Sequence, residues 1–264
     1  MAEKYTSRIA LVLDAPVEDV GAVVRAAGEV KDIDRASAVR DEGHRAQEVH
    51  WGGRMQKAVV RAVSEDDGSH LLRTETYLGG EGPVNGLQRQ AKLLQALARQ
   101  LKGHVTGVVD QSARTERDAA WMNRVAIGAV ATDDAIVDAV RGEGTRWVLT
   151  HGAARFDVPD LELYGLHAGQ VEAARTTIAH VHDQLLRNGL TASLTLPDGT
   201  PAYLVPVLEA WQHVPLDWPG VGRAGQERGP GLDGPRATLS VRHRPRLGRY
   251  KKDLEGVLDT LATV

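Results

Sequence analysis

Residues 145–165, TRWVLTHGAARFDVPDLELYG, constrain the fold more than any other stretch. Trp147, Val148 and Leu149 make a short run of strand-forming residues. His151-Gly152 marks a turn, and Pro159 pushes Val158 towards extended backbone. Leu161 and Leu163 then alternate with Glu162 and Tyr164, the period of a strand with one apolar face. The only Phe of the chain, Phe156, falls inside this stretch. The pattern predicts a strand, an ordered loop and a second strand, with Phe156 plugging the core beneath the loop.

The same strand-and-helix grammar extends through most of the chain. Residues 8–13 read as a strand, Asp14-Ala15-Pro16 as a turn, and 17–27 as a helix with Val20, Val23, Val24 and Ala27 inward. Residues 29–45 are charged and lack a period, so a loop is expected. Strands follow at 46–51, 55–64 and 69–78, the first two joined by a Gly52-Gly53 hairpin turn. A helix follows GGEGPVNG at 79–86 and runs to about 102. Its stripe is Val84, Leu87, Ala91, Leu94, Ala98 and Leu101. Residues 104–110 close this series as a strand.

A second series is then expected. It comprises a strand at 124–130, a helix capped by Thr132 with Ile136, Val137 and Val140 inward, and strands at 145–151 and 160–165. A helix over 168–188 and a strand at 190–196 complete it, with one more strand at 202–208. RIALVLDAPVEDVGAVVRAAG at 8–28 overlays RVAIGAVATDDAIVDAVRGEG at 124–144 without a gap. Arg8 meets Arg124, Val20 meets Ile136, Val24 meets Val140 and Gly28 meets Gly144. A βαββαβ order gives an antiparallel sheet with both helices on one face. The expected fold class is therefore α+β, with two ferredoxin-like units arranged as a tandem repeat over 1–110 and 111–210. The remainder, 211–264, reads as a Gly/Pro-rich linker, a basic segment and an amphipathic C-terminal helix with Leu254, Val257, Leu258 and Leu261 at helical spacing.

THGAARFDVPDLELYG resembles a T-x-G-x-x-x-F-x-x-P-x-L-E signature of bacterial domain-of-unknown-function families. LLQALARQLKGHVTGVVD upstream and LRNGLTASLTLPDGTP downstream are similar to the elements those families place on either side. The resemblance spans roughly 85–210. It implies a fold and supplies no mechanism, because the families have no established activity, and it gives His151 and Asp157 no role.

Composition limits the chemistry. There is no Cys, which removes disulfides, thiol nucleophiles and Cys-ligated zinc and suits a reducing cytoplasm. A formal net charge of −3 gives no global field for nucleic acid or membrane. The excess of Arg over Lys with abundant Ala, Val and Gly is that of a GC-rich bacterial genome. The N-terminal apolar run is too short for a signal peptide, and no stretch approaches a membrane span.

Candidate site residues are few. His151, Asp157, Asp160 and Glu162 share one loop region, and a His with a carboxylate is the minimum for acid–base chemistry. The alternative is that these Asp side chains satisfy the loop's own backbone. His180 and His182 are two apart on a helix and so do not share a face, which argues against a shared metal. GGEGPVNG lacks the Lys-Ser/Thr ending of a phosphate loop, and Glu81 would repel phosphate. No G-x-S-x-G is present. Arg242, Arg244, Arg246, Arg249, Lys251 and Lys252, within the acid-free run 236–252, are the candidate nucleic-acid contacts.

With no coherent catalytic set, the expectation is a cytosolic, non-enzymatic binding or regulatory protein. No cofactor or metal is expected. Its partner would be a protein or a small molecule, bound on an exposed sheet face or in a groove between the units. The alternatives are a hydrolase using the 151–162 loop and a nucleic-acid binder using 236–252.

Overall fold

The structure is a computed structural model that describes residues 5–28, 33–40, 42–51, 56–78, 83–128, 130–190, 193–207, 210 and 236–241. The chain is mixed α+β, with one sheet in each of two compact units, Met1–Ala135 and Ile136–Val264. Among the described residues no helix is long and apolar enough to cross a membrane. The Gly52-Gly53 turn, the linker 219–235 and the C-terminal helix expected at 249–261 lie outside the described residues.

The first unit begins with β1 (Ser7–Leu13), a nearly continuous apolar run in which only Arg8 is exposed. Helix α1 (Val20–Ala27) follows. It starts where Asp19 accepts a hydrogen bond from the Ala22 backbone N–H at 3.0 Å, and it stops at Gly28. Strand β2 (Ile33–Ala38), a 3₁₀ turn at Gly43–Arg45, and strands β3 (Ala46–Trp51), β4 (Gln56–Ser64) and β5 (His70–Thr76) come next. Helix α2 (Pro83–Gln100), β6 (Val105–Asp110) and β7 (Thr115–Arg117) complete a seven-stranded sheet. Its order is β2-β3-β4-β5-β1-β6-β7, and every neighbouring pair is antiparallel.

Ile9, Leu11, Val60 and Leu72 point to one face of this sheet and are fully buried together with Leu87, Ala91 and Leu94 of α2. Polar groups are admitted to this face too, among them Thr74 and the Gln90 amide, both fully buried. The Gln90 nitrogen lies 3.2 Å from the Ser7 and Thr74 carbonyls and 3.0 Å from the Thr74 hydroxyl. The other face carries charge. Arg61 grips Glu42 with two 2.6 Å hydrogen bonds and also reaches Glu75, which pairs with Arg73.

Three expectations for the middle of the chain are corrected. Residues 33–38, expected as loop, form the edge strand β2. Residues 124–130, expected as a strand, begin as the end of helix α3 (Ala119–Ala126). Asp118 caps that helix by accepting from the Trp121 N–H at 2.6 Å, and Trp121, Met122, Val125 and Ala126 bury at helical spacing. The apolar Val125-Ala126 pair continues this stripe, which a short window cannot distinguish from a strand. The helix expected from Thr132 onwards is only one turn, α4 (Thr132–Ala135). The β-branched residues after it enter β8 (Val137–Arg141) instead. The overlay of 8–28 on 124–144 therefore sets a strand and helix against a helix end, a helical turn and a strand.

In the second unit, β8 is followed by β9 (Arg146–His151), a 3₁₀ turn at Ala153–Phe156 and β10 (Asp160–Leu166). After these come α5 (Val171–Asn188), β11 (Leu194–Thr195), β12 (Pro201–Pro206) and β13 (Arg236–Ser240). The sheet order is β11-β12-β13-β10-β9-β8. All pairs are antiparallel except β10 with β13, which run parallel with Glu162 beside Thr238. The sequence reading placed Arg236 at the start of a basic tail. In fact Arg236–Ser240 is an interior strand, with Thr238 and Leu239 fully buried.

Candidate functional site

Two-residue alternation sends the side chains of the second sheet to two faces. Val148, Leu161, Leu163, Ala237 and Leu239 share one face and are buried, as are Ala174, Ile178, Val181 and Leu185 along α5. Asp138, on that same face, holds Arg175 of α5 at 2.6 Å and so fixes which side the helix covers. Leaving each of the Val, Leu and Ile side chains among these in water would cost about 1.5–3 kcal/mol.

The opposite face mixes polar with apolar groups at the same burial, with Leu149 and Val205 beside the polar ones. Trp147 and His151 of β9, Asp160, Glu162 and Tyr164 of β10, and Thr238 and Ser240 of β13 point to it, and all are buried. His151 and Asp160 sit at the two ends of the 3₁₀ turn. Asp160 accepts from the Ala153 N–H at 3.0 Å and thereby ties the turn to the strand after it. Glu162 accepts from the Thr238 hydroxyl at 3.1 Å. Arg155 is buried in the turn itself, its guanidinium 5.2 Å from the centre of the Phe156 ring. Phe156 is buried beneath the loop.

The structure thus places His151, Asp160 and Glu162 on one face, in the interior. Asp157 is not with them. It is exposed and holds a left-handed conformation, φ 60°, where the turn ends. Asp tolerates this backbone better than most residues. The visible work of Asp157 and Asp160 is shaping the loop.

His182 of α5 is also buried, 1% exposed, with its Nε2 3.3 Å from the Pro159 carbonyl. That carbonyl only accepts, so Nε2 carries the proton. Desolvation pulls the pKa of His182 down to about 4, against the opposing effects of the carbonyl and Asp183. Among the described residues no group of three or more His, Asp or Glu side chains has the arrangement of a metal site. Arg242, Arg244, Arg246, Arg249, Lys251 and Lys252 lie outside the described residues.

Sequence reasoning missed a cleft in the first unit. It has a volume of about 480 Å³, within the usual range for small-molecule sites. Three pieces of chain form it: the β1–α1 loop with Glu18, the 3₁₀ turn with Arg45, and the β4–β5 hairpin with Ser64 and His70. Ser64 and His70 are cross-strand partners, and their Oγ and Nδ1 atoms are 3.2 Å apart. Leu71 and Val63 supply apolar wall. Glu18 and Arg45 are exposed, and among the described residues neither side chain has a hydrogen bond or ion pair. Their neighbours differ: Asp19 caps α1, and Glu42 and Arg61 hold each other. Both strands of the hairpin were expected, at 55–64 and 69–78, but not their pairing across residues 65–69. Arg45 was missed because it lay in the stretch expected as loop.

Comparison of the chain with protein-family models, curated proteins and solved structures gives no match.

Proposed function

We propose that the protein is a binding protein whose small-molecule ligand occupies the first-unit cleft. One observation carries this reading: a carboxylate and a guanidinium line a single cleft and, among the described residues, have no protein partner, while Asp19, Glu42 and Arg61 nearby are engaged. Unused charge in a concavity is available to a ligand at no cost in broken ion pairs.

Four strands of the first unit, β4-β5-β1-β6, follow the order of a ferredoxin-like plait. The packing of α1 and α2 on one face supports the same view. We read this unit as such a plait widened by β2, β3 and β7. The parallel β10–β13 pair favours that description less for the second unit. Hydrolysis at the 151–162 segment draws less support, since His151, Asp160 and Glu162 are buried and none of them lines the cleft.

Backbone amide NMR during titration with a panel of small metabolites tests the proposal. Shifts should concentrate at Glu18, Arg45, Ser64 and His70, and Ser64→Trp, which fills the cleft, should abolish them. The reading fails if the purified protein instead turns over generic esters, phosphates or peptides and His151→Ala removes that activity.

A further inference from the structure

We infer that the cleft takes a small zwitterion of the α-amino-acid class, with its carboxylate on Arg45 and its ammonium group on Glu18. This rests on the cleft being a ligand site, and it goes further by naming the ligand's charge pattern.

Charge balance in the cleft selects the ligand. The lining presents one carboxylate, Glu18, and one guanidinium, Arg45, with the hydrogen-bonded Ser64–His70 pair beside them. The two charged groups do not form an ion pair with each other, so both remain to be satisfied by whatever enters. A simple anion such as phosphate would gain Arg45 and face Glu18 unshielded. A simple cation would gain Glu18 and face Arg45. A ligand carrying both charges satisfies the two together. The planar guanidinium fork suits a carboxylate in particular.

Local structure explains why these two residues remain available. Asp19, beside Glu18, spends its carboxylate on the Ala22 N–H and lies 3.7 Å from Arg25. Arg61 spends its guanidinium on Glu42 and Glu75. Removing either of those residues would disturb the fold, whereas Glu18 and Arg45 carry no such load. Leu71, 7% exposed, with Val63 and Val17, offers an apolar wall for a ligand side chain. Ser64 and His70 supply a hydroxyl and a ring nitrogen for any polar group beyond it.

Calorimetric titration of the full chain with each standard L-α-amino acid tests this. Controls are the matching amino-acid amide (no carboxylate), the N-acetyl amino acid (no ammonium) and inorganic phosphate. At least one amino acid should bind, and its amide and N-acetyl forms should bind about tenfold or more weakly, the usual scale for losing one charge-assisted contact. Arg45→Gln should weaken the amino acid and leave the amide unchanged. Glu18→Gln should weaken the amino acid and leave the N-acetyl form unchanged. Unaltered thermal melting of both variants confirms that they fold.

Phosphate or the N-acetyl form binding as tightly as the amino acid would overturn the zwitterion, as would Glu18→Gln having no effect or no amino acid binding at all. In each case the cleft reading stands if another metabolite shifts the cleft residues. If ligands bind and Ser64→Trp changes nothing, the cleft reading itself falls.

Discussion

Lowering the pH from 7 to 5 should destabilise the protein through His182 in particular. The side chain is 1% exposed, and its pKa falls from 6.5 to about 4 on folding. The unfolded chain therefore binds the proton that the folded chain refuses, and acid favours unfolding. The stability at stake is fully present above about pH 6.5 and is lost as pH falls towards 4. The fall from 6.5 to about 4 corresponds to about 3 kcal/mol in all, of which about 2 kcal/mol disappears between pH 7 and pH 5. Other groups titrate over the same range, so the measurement is a difference between proteins. His182→Gln keeps a donor for the Pro159 carbonyl and does not titrate. Urea unfolding of both proteins at pH 7 and pH 5 should show the wild type losing about 2 kcal/mol more than the variant across that interval. Parallel losses would refute a neutral, buried His182.

Three further substitutions test separate parts of the fold. Thr238→Val removes the hydroxyl that donates to the buried Glu162 carboxylate and should cost about 1–3 kcal/mol in chemical denaturation. Asp118→Ala removes the N-cap of α3 and should cost about 1 kcal/mol, a loss that a strand at 124–130 would not produce. Gly86→Ala would set a methyl group 3.1 Å from the Leu78 side chain. Leu78 Cα also lies 3.2 Å away and stays in place whatever side chain residue 78 carries, so the overpacking, offset by better helix propensity, should lower stability by about 1 kcal/mol in a thermal melt.

How legible the fold was in the sequence depended on whether the pattern was long enough to have a period. The β9–β10 pair, α2 and α5 were readable because alternation or a helical stripe ran through each of them. The Val125-Ala126 run was misread because its helix cap, Asp118, lay several residues upstream of the apolar window. β13 was hidden differently: RATLS alternates for only five residues, and the basic run that follows it drew the reading away. His151 and Glu162 were singled out as residue types, but only the strand register showed that they face the interior. The cleft was least accessible, since Glu18, Arg45 and His70 are far apart in sequence and meet only once the β1–α1 loop, the 3₁₀ turn and the hairpin are placed.

The position of β13 has a consequence for synthesis. It lies between β10 and β12, yet it leaves the ribosome about thirty residues after β12. Until then both neighbours wait with an unfilled hydrogen-bonding edge, the kind of surface that recruits other nascent chains. A message truncated anywhere in that interval yields a split sheet, so closure of the second unit reports that translation has passed residue 240.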